Sequence, residues 1–343
     1  MRMSRFHELL GRAAVVLAAA CRSPVGPLVT LSDPQATSAA LATLDSMFTA
    51  PALASFASLS LSQHIVPAPS PQRAGRILVA SPEGLIIPDS LYGSIFTWDS
   101  ASAAYTRTAA TGGPATGIRF ILYALSPPTG AVSFPLTPVG QTELSDEGVG
   151  QTEHLHIIVA GVGGTPAYAD YTGSLTVGGG IAAAGLAGSL SNGLAGGANR
   201  TLTFNVSATI AGATETVYAT YTLNNPSLAV LLNASDVKVR QFTDSVTINF
   251  AFRRAAELVS LSGLFLTTSG VLDTVAVGFG VNGNAYASVL GNAAGVTFYD
   301  HAGVPMQDTA GRHDVLVVLA NLRDAATAVL EFSAALLTPA TLR

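Results

Sequence analysis

The stretch from Thr201 to Ile210 has the sequence TLTFNVSATI, in which Leu202, Phe204 and Val206 alternate with polar residues. Successive side chains of a β-strand point to opposite faces, so this period of two predicts a strand with one apolar and one polar face. Such strands are typical of antiparallel sheets that are buried on one side only. The stretch therefore predicts an antiparallel sheet with one face in water.

The same kind of pattern recurs along the chain beyond residue 75. Short runs rich in Ile, Val, Phe, Tyr and Thr, each bounded by turn-forming residues, predict further strands. The predicted strands cover residues 76–79, 94–98, 104–107, 118–124, 154–159, 168–177, 201–210, 216–223, 237–252, 258–267, 272–279 and 285–290. Because several are separated by tight-turn sequences, neighbouring strands are expected to pair as a meander.

Three segments predict individual hairpins. In residues 96–108, Trp98 and Tyr105 are placed to pair across a turn at residues 99–103. The glycine-rich segment 178–198 predicts a hairpin of the sheet and not a membrane span, because Gly and Ser are too polar and flexible for a stable span. The dipeptide Asn282-Gly283 is a strong signal for a two-residue turn.

Helical spacing occurs at both ends of the chain. Asp33 followed by Pro34 predicts a helix start, with an apolar stripe from Leu41 to about Thr49. Pro51 ends or restarts this helix, and a second short stripe follows it. A C-terminal stripe runs from Leu319 to Leu337 before Pro339 stops it.

These elements predict a mainly β fold of the α+β class. It consists of one large curved antiparallel meander sheet or half-barrel, with the N-terminal and C-terminal helices packed on its apolar face. We expect a single domain over residues 32–338, and a split near residue 150, in the polar run 143–153, is the alternative. In outline this architecture is similar to periplasmic lipid carriers and envelope lipoproteins.

The N-terminus has the pattern of an export signal. Arg2, Arg5 and Arg12 precede a short apolar stretch, residues 13–20, which predicts a secretory signal peptide over residues 1–20. Eight apolar residues are too few for a permanent helix, since a bilayer span needs about 20. Small residues follow the charged part, as at a cleavage site.

The only cysteine, Cys21, comes directly after this segment. The stretch from Leu17 to Cys21, LAAAC, resembles the lipobox of bacterial lipoprotein precursors. The resemblance implies that Cys21 is lipidated, that residues 21–31 form an anchor and tether, and that Arg22 accompanies sorting to the outer membrane. The alternative is ordinary cleavage after Ala20, which would leave an unused thiol.

The composition excludes some partners. Only 11% of the residues are charged, against about 25% in typical proteins, and the net charge is -5. Lys238 is the only lysine. A groove that follows phosphates needs clustered Lys and Arg, so we expect no nucleic-acid partner.

Few residues suggest reaction chemistry. His154 and His156 share one face of a predicted strand and would be the residues of a metal site, but without an evident third ligand we expect polar side chains on a wet face and no metal. Residues 278–283 match G-x-G-x-x-G, yet Asn282-Gly283 favours a hairpin over a dinucleotide site, so no cofactor is expected. No hydrolase motif occurs, and we expect no enzymatic activity.

Two functional hypotheses follow. In the first, an exported, lipid-anchored, non-enzymatic envelope protein binds an apolar ligand, such as acyl chains, between sheet and helices. In the second, a structural or surface-interaction protein meets other envelope components through its Thr, Ser and Asn faces and holds no ligand. Both place the protein in the bacterial cell envelope, attached to the membrane through Cys21.

Overall fold

The structure is a computed structural model that describes residues 33, 36, 39–40, 43, 47, 50–61, 87–127, 129–148, 152–240, 243–268 and 271–306. These residues form a mainly β fold with one helix and fifteen strands. In chain order the elements are α1 (Pro51–Leu61), β1 (Ser94–Asp99), β2 (Ala104–Thr111), β3 (Gly117–Tyr123), β4 (Pro138–Asp146), β5 (Thr152–Ala160), β6 (Ala167–Gly178), β7 (Ile181–Ser191), β8 (Thr201–Ala211), β9 (Thr214–Leu223), β10 (Leu228–Arg240), β11 (Thr243–Arg254), β12 (Glu257–Thr268), β13 (Val271–Val281), β14 (Asn284–Asn292) and β15 (Gly295–Asp300).

The described strands group into two compact units, and β8 begins in the first and ends in the second. In the first unit the hydrogen-bonded order is β2-β1-β3-β4-β5-β6-β7. In the second unit β9 to β15 follow one another in chain order, and each pair is antiparallel. The predicted meander is therefore confirmed for the second unit. The single domain over residues 32–338 stays a prediction.

The first unit departs from the predicted antiparallel meander, because β1 and β3 pair in parallel and the sheet is mixed. Side-chain packing explains this order. The ring of Phe96 on β1 stacks on that of Phe120 on β3, with centroids 5.0 Å apart, and Tyr105 meets Phe120 edge to face at 5.4 Å. Beyond Tyr105, β2 has mostly exposed Thr and Ala, so it offers little apolar surface to a further strand and lies outermost.

The predicted strand over residues 237–252 is wrong. β10 ends at Arg240 and β11 begins at Thr243, and the two strands pair with each other through Lys238 and Asp244. The sequence alternates from Val237 to Phe252 without the Gly, Pro or Asn-Gly that usually marks a chain reversal, so it looked like one long strand. No strand is predicted at the positions of β4 and β15. The predicted strand over residues 76–79 lies outside the described residues.

Helix α1 covers part of the buried face of the first unit. It begins at Pro51, as predicted for a helix restart, and its first turn closes with a 3.0 Å hydrogen bond from Ala54 N to Ala50 O. Leu53, Phe56 and Leu59 are buried, and the helix lies against β3, β4, β5 and β6. Upstream, Asp33 accepts a hydrogen bond from Ala36 N at 2.8 Å, the contact expected of a helix cap.

The two longer helical stripes predicted from the sequence lie mostly or entirely outside the described residues. The stripe from Leu41 to Thr49 falls mostly on residues that the structure does not describe, and the C-terminal stripe from Leu319 to Leu337 lies entirely outside the described residues. The packing of two terminal helices on the sheet is therefore kept as part of the proposal below.

Three predicted hairpins are confirmed. Trp98 lies opposite Tyr105 in the register of β1 and β2, and their rings meet edge to face at 5.4 Å. In the glycine-rich segment, β6 and β7 are joined by two glycines with positive φ, as a two-residue hairpin requires. Asn282 and Gly283 have φ of 51° and 82° between β13 and β14. The alternative of a phosphate-binding loop before a helix is excluded there, because a strand follows.

Gly140 allows α1 to approach the sheet closely. A methyl group at this position would lie 2.9 Å from the Cβ of Ala52 in α1 and closer still to the carbonyl oxygen of Ala160 on β5. Backbone atoms of a paired strand cannot move aside cheaply, so only glycine fits between the helix and the strand.

We therefore expect Gly140→Ala to destabilise the first unit by about 1 to 3 kcal/mol, the usual cost of overpacking. Urea unfolding followed by the fluorescence of Trp98, the only tryptophan, measures this effect in the first unit. Gly178→Ala is the matched control, because a methyl group there would meet no atom within 4 Å. Equal unfolding midpoints for the two variants would contradict the proposed close contact.

Asn282 has a second role besides its turn. Its side-chain Oδ1 accepts a hydrogen bond from Leu258 N at 2.9 Å, and its own N donates to Leu258 O at 2.8 Å. The turn between β13 and β14 thus holds the first residues of β12.

Asn282→Ala removes this side-chain bond and places alanine at a positive φ, so we expect a loss of about 1 to 2 kcal/mol. Hydrogen exchange at the amide of Leu258 measures the effect locally, and the amide should exchange faster in the variant. Asn284→Ala is the control in the same turn, since its side chain makes only a 3.4 Å contact to Asn282 O. If the Leu258 amide kept its protection in Asn282→Ala, this role of Asn282 would be wrong.

Candidate functional site

Several of the described charged side chains of the first unit lie on the wet face of β3 to β6. Arg119 alternates with buried Ile118 and Phe120 on β3, and Glu143 lies between buried Thr142 and Leu144 on β4. The same alternation on the next two strands brings His156 and Asp170 to this face. By contrast, residues 171–199 carry no charge, so polar chemistry in this unit is concentrated on these four strands.

Arg119 and Glu143 form a cross-strand ion pair. They lie directly opposite each other in the register of β3 and β4. The Arg119 Nη2 donates to Glu143 Oε1 at 2.6 Å and its Nε donates to the same oxygen at 2.9 Å, while Gln141 Nε2 adds a third donor at 3.3 Å. Three donors on one oxygen fix the carboxylate in place.

His156 lies between two carboxylates. Its Nε2 is 2.7 Å from Asp170 Oδ1 on β6, and its Nδ1 is 3.4 Å from Glu147 Oε1 after β4. Because carboxylates only accept hydrogen bonds, a protonated imidazole satisfies both partners, whereas a neutral imidazole has one N–H for the two. The ring thus connects β6 with the residues that follow β4.

Ser145 is the cross-strand partner of His156, so a serine, a histidine and an aspartate share this face. In a nucleophilic triad one imidazole nitrogen must accept the serine proton while the other is held by the carboxylate. Here each ring nitrogen faces a carboxylate. In this geometry the Nε2 atom of His156 is held by Asp170, and its Nδ1 atom lies 3.4 Å from Glu147 Oε1, so both ring nitrogens face carboxylates and neither is hydrogen-bonded to Ser145.

The structure places the predicted metal pair as follows. His154 and His156 do lie on one face of β5, because Leu155 and Ile157 on either side of His156 are buried. Only His156 joins the carboxylates described above. Among the residues that the structure describes, no group of three or more His, Cys, Asp or Glu side chains is arranged to hold a metal ion.

The partners of His156 were not predicted as a group. Glu147 stands close in sequence to His156, but Asp170 comes from the following strand and reaches His156 only through the register of β5 and β6. Alternation predicts the face of each residue, and the register that brings them together has no local signal. The predicted lipidation site, Cys21, lies outside the described residues.

No family model matches this chain, and no curated protein or solved structure matches it either. No helix within the described part of the chain is long and apolar enough to cross a bilayer. The function of the protein therefore has to be inferred from its own residues.

We expect zinc binding to be independent of His154 and His156, because no group of three or more His, Cys, Asp or Glu side chains among the described residues is arranged around them to hold a metal ion. Isothermal titration of zinc into the parent protein and into the His154→Ala/His156→Ala variant should give the same affinity. A tenfold or greater loss in the double variant would show that the two histidines are metal ligands after all.

Proposed function

We propose that this protein is an exported, non-enzymatic component of the bacterial cell envelope. It is tethered to the membrane by a lipid on Cys21, and it acts through the polar faces of its sheet. The sequence pattern of an export signal in residues 1–20 and the cysteine that directly follows it support this cellular location. The placement of His156 between two carboxylates supports a non-enzymatic role, since its two ring nitrogens face Asp170 and Glu147 instead of Ser145.

One observation carries the choice between the two hypotheses about the body of the protein. In the second unit the apolar face is largely buried: Phe252 and Phe265 are 1% exposed, and Val277 is 0% exposed. A cavity ready for an acyl chain would leave lining side chains open in the ligand-free protein. The burial of this face therefore favours the surface-interaction hypothesis over the apolar-ligand hypothesis.

The polar faces of the strands support the same choice. On β9 the exposed positions include Thr216, Tyr218 and Thr222, and on β10 Asn233 is exposed together with Ala229 and Leu231; these positions alternate with buried apolar residues. Hydroxyl and amide groups in such number give a surface that can form hydrogen bonds without carrying charge.

The proposal includes the two terminal helices on the apolar face. The contact of α1 with the buried face of β3 to β6 supports it, as does the cap between Asp33 and Ala36. Helices with apolar stripes at 34–49 and 319–337 would add further cover to an apolar sheet face.

Metabolic labelling tests the anchor. We expect tritiated palmitate to label the wild-type protein in a bacterial host and to leave Cys21→Ala unlabelled, because Cys21 is the only cysteine. Outer-membrane fractions should contain the labelled protein. Equal label in both proteins would refute lipidation at Cys21, and recovery of the wild-type protein in the cytoplasm would refute the proposed address.

Lipid extraction of the purified protein separates the two hypotheses about its body. Mass spectrometry of the extract from Cys21→Ala, which lacks the anchor, should find no lipid in a one-to-one ratio with the protein. A stoichiometric acyl lipid in that extract would favour the apolar-ligand hypothesis.

A further inference from the structure

Seven residues on seven neighbouring strands of the second unit lie directly opposite one another on its polar face. We call this set the cross-strand row. Its members, from β9 to β15, are Tyr218, Asn233, Asn249, Ser262, Gly278, Ser288 and Tyr299. With strands spaced about 4.8 Å apart, the six intervals span about 29 Å across the strands.

The row is uncharged and rich in hydrogen-bonding groups. Asn233 and Asn249 are a cross-strand pair, and both are exposed. The side-chain amides of Asn233 and Asn249 and the hydroxyl groups of Ser262 and Ser288 make no hydrogen bond to any other residue that the structure describes. Each amide offers two N–H donors and a carbonyl acceptor, so the centre of the row can donate and accept at once.

Tyrosines stand at both ends of the row. Tyr218 is 45% exposed on β9, and the half-buried Tyr299 occupies the corresponding place on β15. An exposed tyrosine on a soluble protein offers a flat apolar ring together with a polar hydroxyl, a combination enriched at binding surfaces.

Gly278 leaves an open notch within the row. A methyl group at this position would meet no atom within 4 Å, and Gly278 lies between two serines with short side chains. The row is therefore lower at its centre than at its two tyrosines, which suits a ligand that lies along it.

We propose that the cross-strand row binds a neutral, linear polysaccharide that runs across the strands. Sugar rings present apolar C–H faces that can pack on Tyr218 and Tyr299, and their hydroxyl groups both donate and accept hydrogen bonds, as the Asn amides do. The inference rests on the proposed role of the polar faces in the envelope, and it names the class of partner.

The charges around the row favour this partner over others. Arg253, the charged residue of β11 nearest to the row on this face, is four positions from Asn249, so an anionic polymer would lack cationic partners along most of its length. A lipid chain would leave the two Asn amides without hydrogen-bonding partners. An added protein strand would need the backbone of a sheet edge, whereas the row lies on a face.

Isothermal titration of the full-length protein in detergent micelles tests the proposal. The probes are cellohexaose and mannohexaose, with the hexamer of galacturonic acid as the anionic control. We expect at least one neutral hexasaccharide to bind with a dissociation constant of about 1 mM or lower and the anionic hexamer not to bind measurably. Absence of binding by both neutral probes, or binding of the anionic hexamer alone, would overturn the proposal.

Variants then locate the site. Tyr218→Ala and the double variant Asn233→Ala/Asn249→Ala should each weaken binding about tenfold, the effect of losing roughly 1.4 kcal/mol of contact. Thr274→Ala is the matched control, since Thr274 is exposed on β13 four positions from Gly278, and its affinity should equal that of the parent. Circular dichroism checks that each variant is folded. Unchanged affinity in both row variants would overturn the assignment of the site.

The two proposals can fail separately. A protein that carries the palmitate label and reaches the envelope but binds neither hexasaccharide refutes only the glycan site. A protein that binds a neutral hexasaccharide through the row but stays in the cytoplasm refutes only the proposed address.

Discussion

The register of the antiparallel pairs is the constraint on which the rest of this structure depends. Because side chains alternate strictly, a slip of β11 by one residue against β10 would turn Phe250 into water and bring Asn249 into the core. Burying that amide without partners costs more than a loss of apolar burial alone. The hydrophobic pattern therefore fixes the register of each pair, and each register fixes the next.

A fixed register has consequences on the polar face, where packing imposes nothing directly. In the first unit it brings Arg119 opposite Glu143 and His156 within reach of Asp170. In the second unit it places Asn233 opposite Asn249 and continues that line in both directions to a tyrosine. The first arrangement is charged and internally satisfied, whereas the second is neutral and leaves its hydrogen-bonding groups open among the residues that the structure describes.

Local sequence patterns predicted most of the strands and turns, but they did not predict which distant strands pair. The alternation of polar and apolar residues predicted most of the strands. The dipeptide Asn282-Gly283 predicted the turn between β13 and β14, because a two-residue hairpin needs positive φ at both positions. The same alternation concealed the boundary between β10 and β11, because the sequence there has no Gly, Pro or Asn-Gly. The parallel pairing of β1 with β3 depends on Phe96, Tyr105 and Phe120 meeting in space, and no local pattern contains that meeting. The spacing of His154 and His156 predicted that they share a face of β5, but only the register of β5 and β6 brings Asp170 to His156.

The connections of the second unit bear on what kind of function the body can have. Catalytic groups are usually carried on loops that converge over a pocket. Here the described turns between β8 and β9, β11 and β12, β13 and β14, and β14 and β15 contain only two residues each, too few to reach over a face. The described groups of this unit therefore lie mainly on the faces of the strands, where neighbours stand side by side. A surface of this kind suits the recognition of a long, repetitive partner better than the transformation of a small one.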